Sequence, residues 1–157
     1  LRRCSGRRLP TRRPGVRDRF TSGVRRRGNG VMGQSQPYGD RSILIVEDEF
    51  IIRLELTDFF REEGFRVLEA DTAEQAIDIL AHDVGVRVVL TDINLRGRMT
   101  GLELAHVIRT RHPPTTLFVM STRRAPDQSA LPARTTFVSK PLNMQHLIRQ
   151  IEPVTPG

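Results

Sequence analysis

Tryptophan is absent, tyrosine occurs once, and aromatic residues make up only 5% of the 157. Whatever core the chain builds must therefore be aliphatic. A single cysteine, Cys4, excludes an internal disulfide and fits a reducing compartment. No apolar run approaches the roughly 18–20 residues that a membrane span needs. The expectation is a cytoplasmic chain with no membrane partner. His82, His106, His112 and His146 are scattered without the paired spacing of zinc ligands, so a zinc site has no support.

Acidic residues are scarce only at the start. Residues 1–41 hold 12 Arg against 2 Asp, a net +10, whereas residues 42–157 hold 13 Lys and Arg against 16 Asp and Glu, a net −3. The overall +7 thus belongs to the first quarter of the chain. That segment is rich in Arg, Gly and Pro and has neither helical nor strand periodicity. It cannot bury enough apolar area to offset its ordering entropy, and residues 1–41 read as a disordered segment. A nucleic-acid arm acting through phosphate contacts and an Arg-rich targeting peptide are the functional readings of it. The preferred reading is sequence lying upstream of the natural start, since Met32 stands shortly before the folded part. Nucleic acid is accordingly not expected as the main partner.

From Ser42 the pattern changes to alternating apolar runs and amphipathic stretches. SILIV (42–46), FRVLEA (65–70), VRVVL (86–90), TLFVM (116–120) and TTFVS (135–139) read as strands, most of them buried on both faces. Between them, Ile52, Leu56, Phe59 and Phe60 make one helical stripe, ended by Gly64. Ala73, Ala76, Ile77 and Leu80 make a second, opened by a capping box at Thr72–Gln75. Leu104, Val107 and Ile108 make a third. Asn143 caps a last helix carrying Leu147, Ile148 and Ile151. Residues 123–134 are polar with two prolines, so any helix there is short. The βα repetition implies an α/β fold with a parallel sheet and helices on both faces. The domain is expected over 42–152, with 153–157 as a tail.

Ligands of such sheets collect beyond the C-terminal strand ends, where strand order reverses. The polar residues there are Glu47, Asp48 and Glu49, then Asp92, Ser121 and Lys140. Clustered carboxylates resist joint ionisation unless a cation neutralises them, and Mg²⁺ suits one or two carboxylates plus waters and phosphate oxygens. A lysine and a hydroxyl opposite could enclose a phosphoryl group. An aspartate is a competent phosphoryl nucleophile, and Asp92 sits centrally if the third strand lies between the first and fourth. Glu49 is better read as a first-turn helix acid favoured by the macrodipole.

The ordered set Val46-Glu47-Asp48, Thr91-Asp92, Ser121 and Lys140-Pro141 resembles the receiver domain of two-component response regulators, over about residues 42–152. The resemblance implies a flavodoxin-like, doubly wound five-stranded parallel sheet of order 2-1-3-4-5. It implies that Asp92 accepts a phosphoryl group from a histidine kinase or a histidine phosphotransfer protein. Mg²⁺ would be held by Asp48, Asp92 and the backbone carbonyl of Asn94, with Glu47 acting through water. Lys140 matches the phosphate-binding lysine, often followed by a cis proline. Ser121 matches the switch hydroxyl, and Phe137 the switch aromatic. Phosphorylation would draw Ser121 to the phosphoryl oxygens and Phe137 inward.

Departures from the family pattern are also visible. The loop Asn94-Leu95-Arg96-Gly97-Arg98-Met99-Thr100-Gly101 lacks the usual Leu-Pro or Met-Pro turn and is one residue longer. Thr122 replaces a small residue after the switch hydroxyl, and the Ser121–Lys140 interval is short. The expected function is a stand-alone phosphorylation-controlled binding or phosphorelay module, monomeric or weakly dimeric, with an unidentified downstream partner. It would be no enzyme beyond its own phosphorylation and dephosphorylation. The alternatives are an aspartyl-phosphate, metal-dependent phosphohydrolase, a nucleic-acid binder acting through the arginine-rich segment, and a receiver-like chain that never takes phosphate.

Overall fold

The aliphatic run Ser42–Val46 forms strand β1, and all five residues are buried because the strand is covered on both faces. Helix α1 (Phe50–Glu62) follows. It ends in a Schellman turn: Gly64, at φ +81°, lets its N–H reach Arg61 O and the next N–H, of Phe65, reach Phe60 O. The Phe60 and Phe65 rings then meet edge to face, 5.4 Å between centroids. Strand β2 (Arg66–Ala70), helix α2 (Ala73–His82), strand β3 (Val88–Asp92), helix α3 (Gly101–Arg111), strand β4 (Thr116–Ser121), strand β5 (Thr135–Ser139) and helix α4 (Met144–Ile151) complete the order. The structure, a computed structural model, describes residues 41–155. The basic segment expected over 1–41 lies outside the described residues except for Arg41, as do residues 156 and 157. No helix among the described residues is long and apolar enough to cross a membrane.

All strands are parallel, in the order β2-β1-β3-β4-β5. Side-chain alternation divides the core into two layers. Leu44, Val46, Val89, Leu117 and Val119 face α2 and α3 through Ala73, Ala76, Leu80, Leu104, Ala105 and Ile108. Ile43, Ile45, Val88, Leu90, Phe118 and Met120 face α1 and α4 through Leu56, Phe60, Leu147, Ile148 and Ile151. Val107, expected on the buried face of α3, is only half-buried, and Ala105 takes that place.

Two local outcomes differ from the sequence pattern. The third strand starts at Val88 rather than Val86, since pairing with β1 begins at the Ile43–Val88 register and Val86 packs beyond the ladder. Thr72 accepts the Gln75 N–H at 3.3 Å, but the Gln75 side chain bonds the N–H of Asp71 rather than that of Thr72. The connector between β4 and β5 holds, as expected, only a short helical piece, the 3₁₀ turn Gln128–Ala130. Residues 123–130 are mostly exposed and offer no apolar stripe that a helix could bury. At the C-terminal end, Glu152–Val154 form a 3₁₀ turn and Thr155 is buried, its hydroxyl donating to Ile151 O.

Asp83, just past α2, fastens the start of β2: Arg66 donates to both its oxygens, at 2.5 and 3.0 Å, and Gly85 N–H adds a third bond. The Arg66 hydrogen bonds hold its carboxyl below the ordinary 3.8. A depressed carboxyl contributes stability above 3.8 and loses it as pH falls through the folded value. Asp83→Asn is expected to lower stability by about 1 kcal/mol at neutral pH. Urea midpoints measured across pH should show the gap closing below 3.8.

Candidate functional site

The same alternation decides which side chains meet beyond the strand ends. Continuing the α1/α4-facing series by two residues brings Ile45 to Glu47, Leu90 to Asp92 and Val138 to Lys140. These three residues converge. Lys140 Nζ donates to Glu47 Oε2 at 2.7 Å and to Asp92 Oδ2 at 2.6 Å, reaching across β4 to do so. Its own N–H donates to Ser121 O, and Lys140-Pro141 is a cis peptide. Glu47 is fully buried, Asp92 is 7% exposed and Ser121 2%.

Backbone and side-chain bonds fix the surrounding loops. Asn94 N–H donates to Asp92 Oδ1 at 2.8 Å, and its side-chain amide donates to Ser121 Oγ at 3.2 Å. Ser121 Oγ also accepts the Arg123 N–H at 3.1 Å. Glu47 Oε1 accepts the Glu49 N–H, while the Arg53 guanidinium donates to Glu47 O at 2.5 Å. Asp48 stands apart from Lys140: its Oδ2 lies 2.6 Å from Arg96 Nε.

Burial disfavours the Glu47 carboxylate and raises its pKa above the ordinary 4.5, although the Lys140 hydrogen bond opposes this. Burial likewise disfavours the Lys140 ammonium, but hydrogen bonds and charge from Asp92 and Glu47 outweigh it. Lys140 is held above 10.5. One ammonium is shared by two carboxylates, so the buried trio carries a net negative charge when all three are ionised.

Of the residues singled out from the sequence, Glu47, Asp92, Asn94, Ser121 and Lys140 form this bonded group, with Asp48 at its edge. Phe137 lies half-buried on β5 and packs on the α2/α3 side, the opposite face from Lys140. Glu49 is exposed at the N-cap of α1 and makes no side-chain cap bond. Thr122 is exposed beside Lys140, on a groove of about 670 Å³ lined by Ile52, Leu56, Phe59, Pro141, Leu142 and Met144.

Sequence reading missed several supports. Gly101 opens α3 against β3 so closely that a Cβ there would lie 1.7 Å from Asp92 O. Only glycine lets the helix start at this distance. Thr100 and Glu103 form a full capping box, whose Thr-x-x-Glu signature was present in the sequence. The Arg53 and Arg96 contacts had no such signature.

Among the described residues no group of three His, Cys, Asp or Glu side chains forms a ready cage for a metal. The donors are nonetheless hard oxygens. Among the described residues, the carboxylates of Glu47, Asp48 and Asp92 form salt bridges to two cations, Lys140 and the mostly exposed Arg96. This fits an ion such as Mg²⁺, which takes one or two carboxylates and completes its shell with water and phosphate oxygens.

The family profile described as "Response regulator receiver domain" matches residues 43–152. A cyclic di-GMP phosphodiesterase of Thermotoga maritima is 30% identical over 112 residues, which are 68% of this chain and 28% of that protein. The transcriptional regulatory protein PdtaR of Mycobacterium tuberculosis is 30% identical over 115 residues, 71% of this chain and 55% of its relative. The chain therefore spans about a quarter and about half of the length of these curated relatives. Among solved structures, the co-crystal of the Saccharomyces cerevisiae histidine phosphotransfer protein Ypd1 with the receiver domain of Ssk1 superposes with a TM-score of 0.63. The identity is 20%, over 73% of this chain and 88% of the other.

Proposed function

This chain belongs to the receiver-domain family of response regulators, and from that premise we propose that Asp92 accepts a phosphoryl group from a phosphohistidine on a partner protein. The observation that carries the reading is the bonding of Asp92: Oδ2 to Lys140 and Oδ1 to the Asn94 N–H, at a buried strand end beside two further acids. A carboxylate oxygen of Asp92 attacks phosphorus, the phosphorus–nitrogen bond breaks, and the imidazole departs with its electron pair. The product is an acyl phosphate on Asp92.

Asp48, Asp92 and the Asn94 carbonyl would hold Mg²⁺, with Glu47 acting through water. The ion, when bound, supplies neutralisation of the charge on the phosphoryl oxygens. Lys140 offers the incoming oxygens a positive point charge from a fixed strand end. Ser121 Oγ accepts two hydrogen bonds and keeps its own proton to donate, which suits a hydroxyl that turns to the phosphoryl group. Movement of Ser121 would be felt by Phe137, paired one strand over with Val119, and so by the surface of β4, β5 and the connector between them. The output is then a change of partner affinity rather than turnover.

The apolar groove beside Lys140 and the exposed Phe50, Ile51 and Leu54 of α1 give the donor an apolar rim within reach of Asp92. The Ssk1 receiver is bound to a histidine phosphotransfer protein, and a donor of that class suits this rim.

Incubation with a small phosphodonor such as phosphoramidate should add one phosphoryl group, read by intact mass, and the product should be acid-stable and base-labile. Removal of Mg²⁺ with EDTA should abolish the gain. An unchanged mass at saturating Mg²⁺, or sustained hydrolysis of a phosphate ester, would overturn the proposal.

A further inference from the structure

Resting on that metal site, we propose that Arg96 is a tethered counter-ion that occupies Asp48 in the metal-free protein and must leave it for a divalent cation to bind. Lys140 serves Glu47 and Asp92 and leaves Asp48 to another partner. That partner is Arg96, whose Nε lies 2.6 Å from Asp48 Oδ2, and it is the one salt bridge to Asp48 among the described residues. The Asp48 side chain is 12% exposed and the Arg96 side chain 81%. The guanidinium therefore lies over the carboxylate from the solvent side, where a hydrated ion would have to enter.

The loop holds this arginine in place. Immediately before it, Leu95 is 6% exposed and anchored in the α2/α3 core layer, and Asn94 is bonded to both Asp92 and Ser121. Immediately after it, Gly97 turns the chain at φ +137°.

A guanidinium and a divalent cation cannot both occupy one carboxylate oxygen, and their like charges repel at that distance. Metal binding is thus an exchange, and its affinity is set below that of the bare acid pocket. Because Arg96 is exposed and screened, the penalty is small, about two- to fivefold in dissociation constant.

The test is calorimetric titration of Mg²⁺ into the full chain and into Arg96→Gln and Arg96→Lys, with thermal midpoints taken in EDTA and at saturating Mg²⁺. Arg96→Gln should bind Mg²⁺ about two- to fivefold more tightly. It should melt below wild type in EDTA and level with it at saturation. Arg96→Lys, which keeps the charge, should stay near wild type in affinity. Equal or weaker Mg²⁺ binding by Arg96→Gln, with wild type binding normally, overturns the counter-ion role alone. No Mg²⁺ binding by either protein overturns both this inference and the metal reading beneath it.

Discussion

Asp92→Asn is expected to abolish phosphoryl acceptance completely while leaving the fold at least as stable as wild type. The amide is isosteric with the carboxylate, and its oxygen can still accept the Asn94 N–H that now reaches Asp92 Oδ1. It has no nucleophilic oxygen pair to offer phosphorus, so the phosphodonor reaction that labels wild type should leave the variant's mass unchanged. Stability should hold because the substitution removes one of two carboxylates competing for a single buried ammonium. Lys140 then pairs one to one with Glu47, whose bond at 2.7 Å is retained. The thermal midpoint should equal or exceed that of wild type, which separates loss of chemistry from loss of structure. Label that persists in Asp92→Asn at wild-type stoichiometry would move the acceptor elsewhere, with Asp48 the first candidate.

How far such a site could be read without coordinates depends on which residues carry a periodic signal. Glu47, Asp92 and Lys140 were legible as members of one group because each stands at the C-terminal end of an apolar run, where a parallel sheet collects its ligands. Unbroken runs carry no alternation of their own, so the faces that bring these three together and set Asp48 apart emerged only from the packing of the strands. The parallel sheet and its order followed from the βα repetition and the family resemblance. The connector between β4 and β5 was legible only as an absence. Its prolines and polar residues bury nothing, so hydrophobic pattern could shorten the helix but could not place the 3₁₀ turn. The same pattern overran the start of β3, since Val86 is buried for packing without being paired in the ladder.

Arg96 and Arg53 were illegible for a different reason. Both act through long side chains across loops, where neither spacing nor propensity marks the contact. Gly101 was visible as a glycine, but its role depends on how closely α3 approaches the Asp92 carbonyl, a tertiary distance. The Thr100–Glu103 box is the one miss that sequence alone could have caught.

Lys140→Met should be the most destabilising replacement in the site, and its cost should depend on pH in a way that identifies the cause. Methionine can fill much of the space of the lysine stem, but it leaves Glu47, fully buried, and Asp92 facing one another without a cation. A buried pair broken on one side leaves an uncompensated charge, typically worth about 3–5 kcal/mol. Glu47 can limit that loss by taking up a proton. Its ordinary value is 4.5, so protonating it at pH 7 costs about 3 kcal/mol, at about 1.4 kcal/mol per unit. Protonation thus limits the share of the loss that falls on Glu47 to about that figure, and Asp92 adds its own. A carboxyl whose folded pKa is raised contributes stability in full below its unfolded value and loses it as pH rises through the folded value. The variant should thus match wild type most nearly below 4.5 and fall away toward neutral pH. In wild type, Lys140 has the same sign from the other end of the scale. Its contribution is complete below 10.5 and is lost as pH climbs through its raised folded value, so the gap should narrow again in alkali. Denaturant midpoints across pH measure both limbs. Adding Glu47→Gln to Lys140→Met should recover part of the loss at neutral pH, because it removes the fully buried one of the two stranded charges. A gap that stays flat across pH, or a double variant no more stable than the single one, would mean that Lys140 stabilises the fold by packing rather than by balancing the buried acids.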